Sequence, residues 1–293
     1  NKSSLWRGVE ALENWGFKVV VGKNVDKKNG FFAGTDEERA EDFNEMFRRD
    51  DIDGVMVTRG GYGAARILKY LDFDMIKSNP KLFLGFSDIT TFHLAINKLT
   101  GLVTFHGPGM CNFFDEYLTD YTREYLNKAV FSPEPVGEVK MADPKKYLHA
   151  IGHGAAEGTI IGGNLSIICS TLGTPYEIET DGKILFFEDL DTEPWIMDHM
   201  MAHLSNAGKL KNVKGIVIGE CVRCEPRAHE PNYYVDTSLE DIFDEYLTPL
   251  GVPVLYGFPL GHTYDMATVP IGVNVRVDAD NKKFTILESG FER

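Results

Sequence analysis

The first part of the chain alternates between two hydrophobic periods. Apolar residues recur at helical spacing from Leu5 to Trp15, and several later apolar runs are too short for a helix. Thr35 and Glu38 form a capping-box pattern, because the hydroxyl of the first can accept from the amide of the second. Strands are predicted at 17–21, 54–58, 82–86 and 102–105, and helices at 5–15, 36–47, 64–71 and 89–99. Strands that alternate with helices indicate crossover connections and a mostly parallel sheet.

The pattern changes near residue 130, where Pro133, Pro135 and Pro144 interrupt the periodicity. Short apolar runs dominate after this point. Strands are predicted at 159–161, 183–187, 215–218, 252–255, 273–277 and 283–287, and helices at 165–172, 196–207 and 239–246. We therefore predict an N-terminal α/β domain over 1–130, a linker over about 130–150, and a C-terminal β-rich domain over 150–293.

Composition and charge narrow the class of protein. The 293 residues carry a formal net charge of −14, and so acidic a surface repels nucleic-acid phosphates and anionic membranes. No apolar stretch reaches the length of about 18 residues that crosses a bilayer. Four cysteines are too few for a disulfide scaffold and fit a reducing compartment. We expect a cytoplasmic protein that binds neither nucleic acid nor membrane.

Ser87 lies at the junction between a predicted strand and a predicted helix, in the sequence Gly85-Phe86-Ser87-Asp88. A hydroxyl at a sharp strand-to-helix turn is typical of a nucleophile elbow, where neighbouring amides can stabilise an oxyanion. Only half of the G-x-S-x-G spacing is present, because position 89 is Ile. The alternative is a simple helix N-cap, since both Ser and Asp are preferred there.

A glycine-rich turn, Arg59-Gly60-Gly61-Tyr62-Gly63, also lies between a predicted strand and a predicted helix. Glycines at this place let backbone amides approach a ligand closely. The turn matches neither a Walker loop nor a dinucleotide fingerprint. One hypothesis puts its amides beside Ser87, because the carboxyl ends of parallel strands meet at one edge of the sheet. The alternative is a tight turn without a ligand.

A serine nucleophile needs a base and a group that orients the base. His262 lies in a Gly/Pro-rich loop after a predicted strand and is the first choice, with His106 as its rival. Glu188 follows the apolar run 184–187, where a carboxylate is costly unless it has a partner. The alternative for Glu188 is an N-cap or a surface ion pair.

Metal sites receive less support. Cys221 and Cys224 have zinc-type spacing, but the sequence holds no second cysteine pair. His199 and His203 are one helical turn apart, without the adjacent Glu of a His-Glu-x-x-His site. We predict neither a metal nor a cofactor.

Together these segments resemble the LD-carboxypeptidase family (peptidase family S66), which includes the microcin C7 immunity-type peptidases. The similarity covers nearly the whole chain, and no single segment of it is specific. The segments that carry it are 33–40, 59–68, 85–90, 104–108, 162–165, 187–189 and 257–262. The family opens with a strand and a Pro-Ser turn before the first helix, so the resemblance implies that this strand precedes Asn1.

The resemblance implies a Ser-Glu-His triad of Ser87, Glu188 and His262, with the amides of Gly60 and Asp88 as the oxyanion hole. It also implies a flavodoxin-like N-terminal layer, a C-terminal β-rich α+β domain and an active site in the groove between them, commonly in a homodimer.

The substrate stays open between two branches of the family. One branch releases terminal D-Ala from murein tetrapeptide in cell-wall recycling, and the turn 59–64 looks like this branch. The other branch hydrolyses peptidyl or aminoacyl adenylates, and the segments around Trp195 and His262 look closer to it. Trp195 is either a base-stacking residue or, the preferred interpretation, a core residue of its helix.

Arg59, with Gly61 beside it, is the first choice for binding a substrate carboxylate, and Arg66 and Arg223 are weaker choices. An ion pair with a nearby acid is an equal alternative for Arg59. A two-domain protein that binds a small ligand without catalysis is the competing class.

Overall fold

The computed structural model describes residues 2–112, 118–226 and 237–291. Its helices are α1 (Lys2–Asn14), α2 (Asp36–Arg48), α3 (Ala64–Ile67), α4 (Phe73–Ser78), α5 (Thr90–Thr100), α6 (Asp120–Val130), α7 (Leu165–Thr171), α8 (Pro194–Asn206) and α9 (Leu239–Leu247). Its strands are β1 (Gly54–Met56), β2 (Leu82–Gly85), β3 (Thr104–His106), β4 (Gly137–Glu138), β5 (His149–Ile151), β6 (Ala155–Asn164), β7 (Ile184–Leu190), β8 (Gly215–Val222), β9 (Val254–Phe258), β10 (Val269–Ile271), β11 (Asn274–Asp278) and β12 (Lys283–Ile286).

The first sheet has the strand order β1-β2-β3-β10. β1, β2 and β3 run parallel, as the alternation of strands and helices predicts. β10 comes from the C-terminal part of the chain and pairs antiparallel with β3, with Val269 opposite His106. This strand is absent from the sequence prediction, because three residues containing a proline give no periodic signal.

The second sheet has the order β4-β12-β11-β6-β7-β8-β9-β5. Its centre, β6 to β9, is parallel, and α7, α8 and α9 are the crossover helices between successive strands. The outer strands pair antiparallel. The predicted α/β class, with a parallel sheet and a second β-rich sheet, is confirmed; the parallel centre of the second sheet is an addition to it.

The hydrophobic core joins the two sheets. A cluster around α2 and α5 includes Phe43, Phe83 and Phe92. The larger cluster contains the inner faces of β6 to β9 together with Leu84 of β2 and Phe105 of β3. Because residues of the first sheet belong to the core of the second, the carboxyl end of β2 is held at a fixed place against the second sheet.

Several predicted elements differ in the structure. Residues 17–21 form no strand among the described residues, because the segment packs on α1 and makes no ladder with β1. The helix predicted at 64–71 is α3 followed by a 3-10 turn over Leu68–Tyr70. α4, α6, β4 and β5 were not predicted. The domain limits 1–130 and 150–293 stay a prediction.

Candidate active site

Ser87 occupies a strained turn at the carboxyl end of β2. Its φ of 68° lies in the left-handed region, which costs a non-glycine residue roughly 1–3 kcal/mol. The turn leads directly into a 3-10 segment, Ser87–Ile89, and then into α5. Strain of this kind persists only where the surroundings fix the backbone. A simple N-cap has extended backbone geometry, so the left-handed Ser87 does not fit that alternative.

Ser87, His262 and Glu188 form one continuous chain of hydrogen bonds. The Oγ of Ser87 lies 3.0 Å from Nε2 of His262, and Nδ1 of His262 lies 2.7 Å from Oε2 of Glu188. A carboxylate only accepts, so Nδ1 carries the hydrogen and Nε2 is left to accept from the serine hydroxyl. The structure thus brings together the three side chains that the sequence predicts, in the serine–histidine–carboxylate order that a catalytic triad requires.

Glu188 is a residue of β7 and is completely buried. The alternative of a surface ion pair or N-cap is therefore wrong, because the strand continues past this residue to Leu190. Gly261 makes room for the carboxylate, because a Cβ at this position would overlap Cγ and Cδ of Glu188. The backbone N–H of His262 also donates to Oε2, at 3.2 Å. These contacts fix the carboxylate against the imidazole.

The electrostatics of His262 follow from its burial and its partner. Burial opposes protonation, but the hydrogen bond and the charge of Glu188 outweigh this effect, and the pKa of His262 is raised above its usual value of 6.5. The charge of Asp189 contributes in the same direction. The imidazolium that forms when His262 accepts a proton is therefore stabilised.

Two polar residues of this site were missed as individual candidates. Asn164 caps α7, and its side-chain amide donates to Oε1 of Glu188 at 3.3 Å and to Oδ1 of Asp189 at 3.4 Å. Asp189 is buried as well and accepts from the backbone N–H of Ser166 at 2.8 Å. The available signal was an Asn before an apolar helix, which indicates a cap and nothing about a distant carboxylate.

The glycine-rich loop lies directly against the Ser87 turn. A Cβ on Gly60 would be 3.0 Å from both the carbonyl oxygen of Phe86 and Cβ of Ser87. Gly61 and Gly63 have φ values of 103° and 109°, which only glycine adopts readily. The loop and the serine therefore meet at one edge of the first sheet, as the sequence predicts.

The proposed substrate-binding residues differ in their surroundings. Arg59 is exposed and forms no ion pair with the residues that the structure describes, so the ion-pair alternative is not seen. Arg66 pairs with Asp36, and Arg223 is bonded to Asp191.

Trp195 is 57% exposed at the start of α8. The preferred interpretation of this residue as a core side chain is therefore wrong. The second position of the helix places the ring beyond the face that packs on the sheet.

His106, the rival base, is completely buried at the end of β3. Neither of its ring nitrogens has a hydrogen-bond partner among the described residues, and burial lowers its pKa well below the usual value. His93 is also buried, and its ring nitrogens lie 2.8 Å from Oγ1 of Thr104 and from the carbonyl oxygen of Gly85. Burial lowers the pKa of His93 to about 4. Neither histidine bonds to Ser87.

The described residues contain no cluster of three or more His, Cys, Asp or Glu side chains that could hold a metal ion. Cys221 and Cys224 are free thiols. Within the same residues, no helix combines the length and the hydropathy that a membrane span requires.

Comparison with known protein families identifies the chain. The family model of the LD-carboxypeptidase N-terminal domain matches residues 1–107, and that of the C-terminal domain matches residues 157–277. The chain belongs to the LD-carboxypeptidase family. A probable murein peptide carboxypeptidase of Bacillus subtilis is 40% identical over 280 residues, which are 95% of this chain and 85% of the relative. The microcin C7 self-immunity protein MccF of Escherichia coli is 33% identical over 316 residues, covering 98% and 89%.

Solved structures give the same result for the fold of this LD-carboxypeptidase. Wild-type apo MccF superposes with a TM-score of 0.85 at 32% identity, over 99% of this chain and 92% of the other. Muramoyltetrapeptide carboxypeptidase from Oxalobacter formigenes superposes with a TM-score of 0.83 at 31% identity, over 98% and 94%. Family membership makes the chain a peptidase of the hydrolase class, so the alternative of a non-catalytic binding protein is wrong.

Proposed function

We propose that this LD-carboxypeptidase is a serine peptidase that releases the terminal D-Ala of murein tetrapeptide during cell-wall recycling in the cytoplasm. The observation that carries the proposal is the hydrogen-bonded chain from Ser87 through His262 to the buried Glu188. The 40% identity to a probable murein peptide carboxypeptidase supports the choice of substrate.

In this proposal, Ser87 Oγ attacks the carbonyl carbon of the bond between the L-configured acyl centre and D-Ala. His262 takes the hydroxyl proton on Nε2 and later gives it to the amine of the departing D-Ala. Glu188 holds the imidazole in the required tautomer through Nδ1 and stabilises its positive charge. Water then attacks the acyl-enzyme with His262 as the base, and the free serine is restored.

The amides of Gly60 and Asp88 are the proposed oxyanion hole. Both belong to backbone that is packed against Ser87, with the Gly60 Cβ position 3.5 Å from the Asp88 nitrogen. Backbone donors fixed in this way stabilise the negative oxygen without reorganising during the reaction. Loss of one such donor costs about 10²–10³-fold in kcat in enzymes of this type.

Arg59 is the proposed partner of the substrate carboxylate. It immediately precedes Gly60, is exposed, and is not committed to an ion pair with any described residue. A protein of net charge −14 attracts a carboxylate only through a local cation or directed amides. With the carboxylate and the carbonyl both held, inversion of the terminal centre displaces the reacting atoms, and about 1 Å of misplacement costs up to ~100-fold.

The second candidate function is hydrolysis of a peptidyl or aminoacyl adenylate, as in the immunity branch. The exposed ring of Trp195 favours it, because an exposed indole at the start of a helix is available to stack on a nucleobase. A relative, MccF, has been solved in complex with aspartyl sulfamoyl adenosine and superposes with a TM-score of 0.83.

Parallel incubations distinguish the two functions. The purified protein is given L,D-tetrapeptide, the all-L tetrapeptide and an aminoacyl sulfamoyl adenylate, and the products are identified by mass. We expect release of D-Ala from the first substrate only. Equal rates on the L,D and L,L peptides would refute the stereochemical argument. Cleavage of the adenylate alone would assign the protein to the immunity branch. Light scattering of the same sample tests the homodimer that the family resemblance implies.

A further inference from the structure

The side chain of Asp88 has no part in the mechanism above, although its backbone amide does. Its carboxylate is 7% exposed, and Oδ2 accepts from the backbone N–H of Ala64 at 2.8 Å. Within the described part of the chain, the carboxylate of Asp88 forms this one hydrogen bond and no ion pair. A buried carboxylate without an ion pair is costly, so a role in holding the loop would account for it.

The bond joins two segments that the sheet does not connect. β1 and β2 are parallel neighbours, and the last backbone bond between them runs from the N–H of Val57 to the carbonyl of Leu84. Beyond it, the glycine-rich loop and the Ser87 turn separate from the ladder. Among the described residues, the hydrogen bond from the N–H of Ala64 to Asp88 is the one that connects the glycine-rich loop to the Ser87 turn.

The loop needs such a tie because its own residues supply little rigidity. Gly60, Gly61 and Gly63 have no side chains to pack, and two of them are in left-handed conformations. At its far end, the carbonyl oxygen of Gly63 accepts from Nη1 of Arg39 at 3.2 Å. Asp88 and Arg39 therefore fix adjacent backbone groups, and the Asp88 bond fixes the loop relative to the nucleophile.

We propose that the Asp88 carboxylate is a positioning residue for the oxyanion hole, which holds the Gly60 amide in register with the amide of Asp88 itself. This inference rests on the proposed serine mechanism. Asp88 acts through Gly60, and the acceptor oxygen rather than the negative charge is what the loop requires. An asparagine at this position keeps an oxygen in the same place and preserves the function.

The test compares Asp88→Ala with Asp88→Asn. Two rates are measured: kcat on the L,D-tetrapeptide, and the rate at which a fluorophosphonate labels Ser87, since the phosphonyl oxygen occupies the oxyanion hole. For Asp88→Ala we expect both rates to fall by about 10–100-fold, because displacement of the Gly60 amide lowers the rate by less than its complete loss would. For Asp88→Asn we expect both rates within about threefold of wild type, because the amide oxygen accepts the same N–H.

Asp72→Ala is the matched control. Asp72 caps α4 by accepting from the N–H of Met75 at 3.0 Å, and it is exposed. Asp72→Ala removes one side-chain hydrogen bond to a backbone N–H, as Asp88→Ala does, and lowers the stability of the fold by about 1 kcal/mol. We therefore expect a lowered melting temperature with wild-type rates. If Asp88→Ala does not fold, Asp88→Ser replaces it. The serine side chain is one bond too short to reach Ala64, so we expect the same loss of both rates.

Wild-type rates in Asp88→Ala or Asp88→Ser would overturn the inference, and so would an Asp88→Asn variant as slow as Asp88→Ala. Labelling of Ser87 requires no knowledge of the substrate. If the wild-type protein is labelled but leaves the tetrapeptide intact, the proposed substrate is wrong, while the labelling rates still decide the role of Asp88.

Discussion

Replacement of Glu188 by glutamine is the most informative perturbation of the proposed triad. The carboxylate accepts from Nδ1 and the backbone N–H of His262 on one oxygen and from Asn164 on the other. Glutamine keeps the shape but presents an NH₂ group on one side. If this group faces His262, it is opposed by the Nδ1–H and the backbone N–H of that residue. If it faces Asn164, it is opposed by the side-chain amide of Asn164. Every orientation therefore opposes donors inside a fully buried site.

The loss of activity follows from either orientation of the glutamine amide. If its NH₂ group faces Nδ1, that nitrogen must accept, which moves the hydrogen to Nε2 and prevents proton transfer from Ser87; if its oxygen faces Nδ1, the tautomer is kept but the negative charge that stabilises the imidazolium is lost. We expect kcat/KM to fall by about 10⁴-fold, or about 5 kcal/mol of transition-state stabilisation. The opposed donors cost about 1–3 kcal/mol of folding free energy.

The pH profile gives an independent readout. His262 acts as a base only when neutral, and Glu188 raises its pKa above 6.5, so wild-type kcat/KM rises with pH through a value above 6.5. In Glu188→Gln, burial is left as the main influence, and we expect this limb below pH 6.5. Because the raised pKa stabilises the folded protein at acidic pH, we expect the stability deficit to be largest below pH 6.5 and to shrink as pH rises through the raised pKa.

Steady-state kinetics from pH 5 to 9 and thermal unfolding test these expectations. Glu177→Gln is the matched control, because Glu177 likewise accepts from a backbone N–H, that of Gly173, and from a side chain, the ammonium of Lys209, in a different part of the molecule. A change in kcat/KM below about tenfold, or an unmoved acid limb, would refute the orienting role of Glu188.

Three further expectations follow from the site. Ser87→Ala removes the nucleophile while the fold persists: we expect kcat to fall by about 10⁶-fold with a cooperative melting transition, and near wild-type turnover of the purified variant would contradict the assignment. Arg59→Ala removes the proposed carboxylate partner: we expect KM for the tetrapeptide to rise by about 10–100-fold without a change in hydrolysis of a neutral p-nitrophenyl ester, and an equal loss on both would indicate loop disruption instead. Dialysis against EDTA is expected to leave the rate unchanged, because the proposed chemistry is supplied by side chains and amides; inactivation reversed by zinc would point to a metallopeptidase.

Local patterns predicted the parts of this molecule that depend on neighbouring residues in the chain. The capping box at Thr35 and Glu38 is present as predicted, with both reciprocal bonds. The turn at Ser87 and the glycine loop after β1 were placed correctly, because each is a strand-to-helix junction written in consecutive residues. Parallel β1 and β2 then bring their carboxyl ends together without further information.

Features that depend on distant residues were not predictable in the same way. Trp195 was interpreted as a core residue from its helical setting, but which face of α8 packs on the sheet depends on strands elsewhere in the chain. The bonds from Asn164 to Glu188 and Asp189 and from Ala64 to Asp88 join separate elements. The segment 17–21 has strand composition but no ladder partner among the described residues, so composition alone misled the prediction.

Strand β10 has a consequence for how the chain folds during synthesis. The edge of β3 pairs with β10 (Val269–Ile271), so the ribosome must synthesise strands β4 to β9 of the second sheet before the first sheet can be completed. At roughly 5–20 residues per second, the edge stays unpaired for on the order of ten seconds or more. His262 lies on the segment that leads into β10. Neither the closed first sheet nor the complete triad can therefore form on a nascent chain before the segment from His262 to Ile271 has been synthesised.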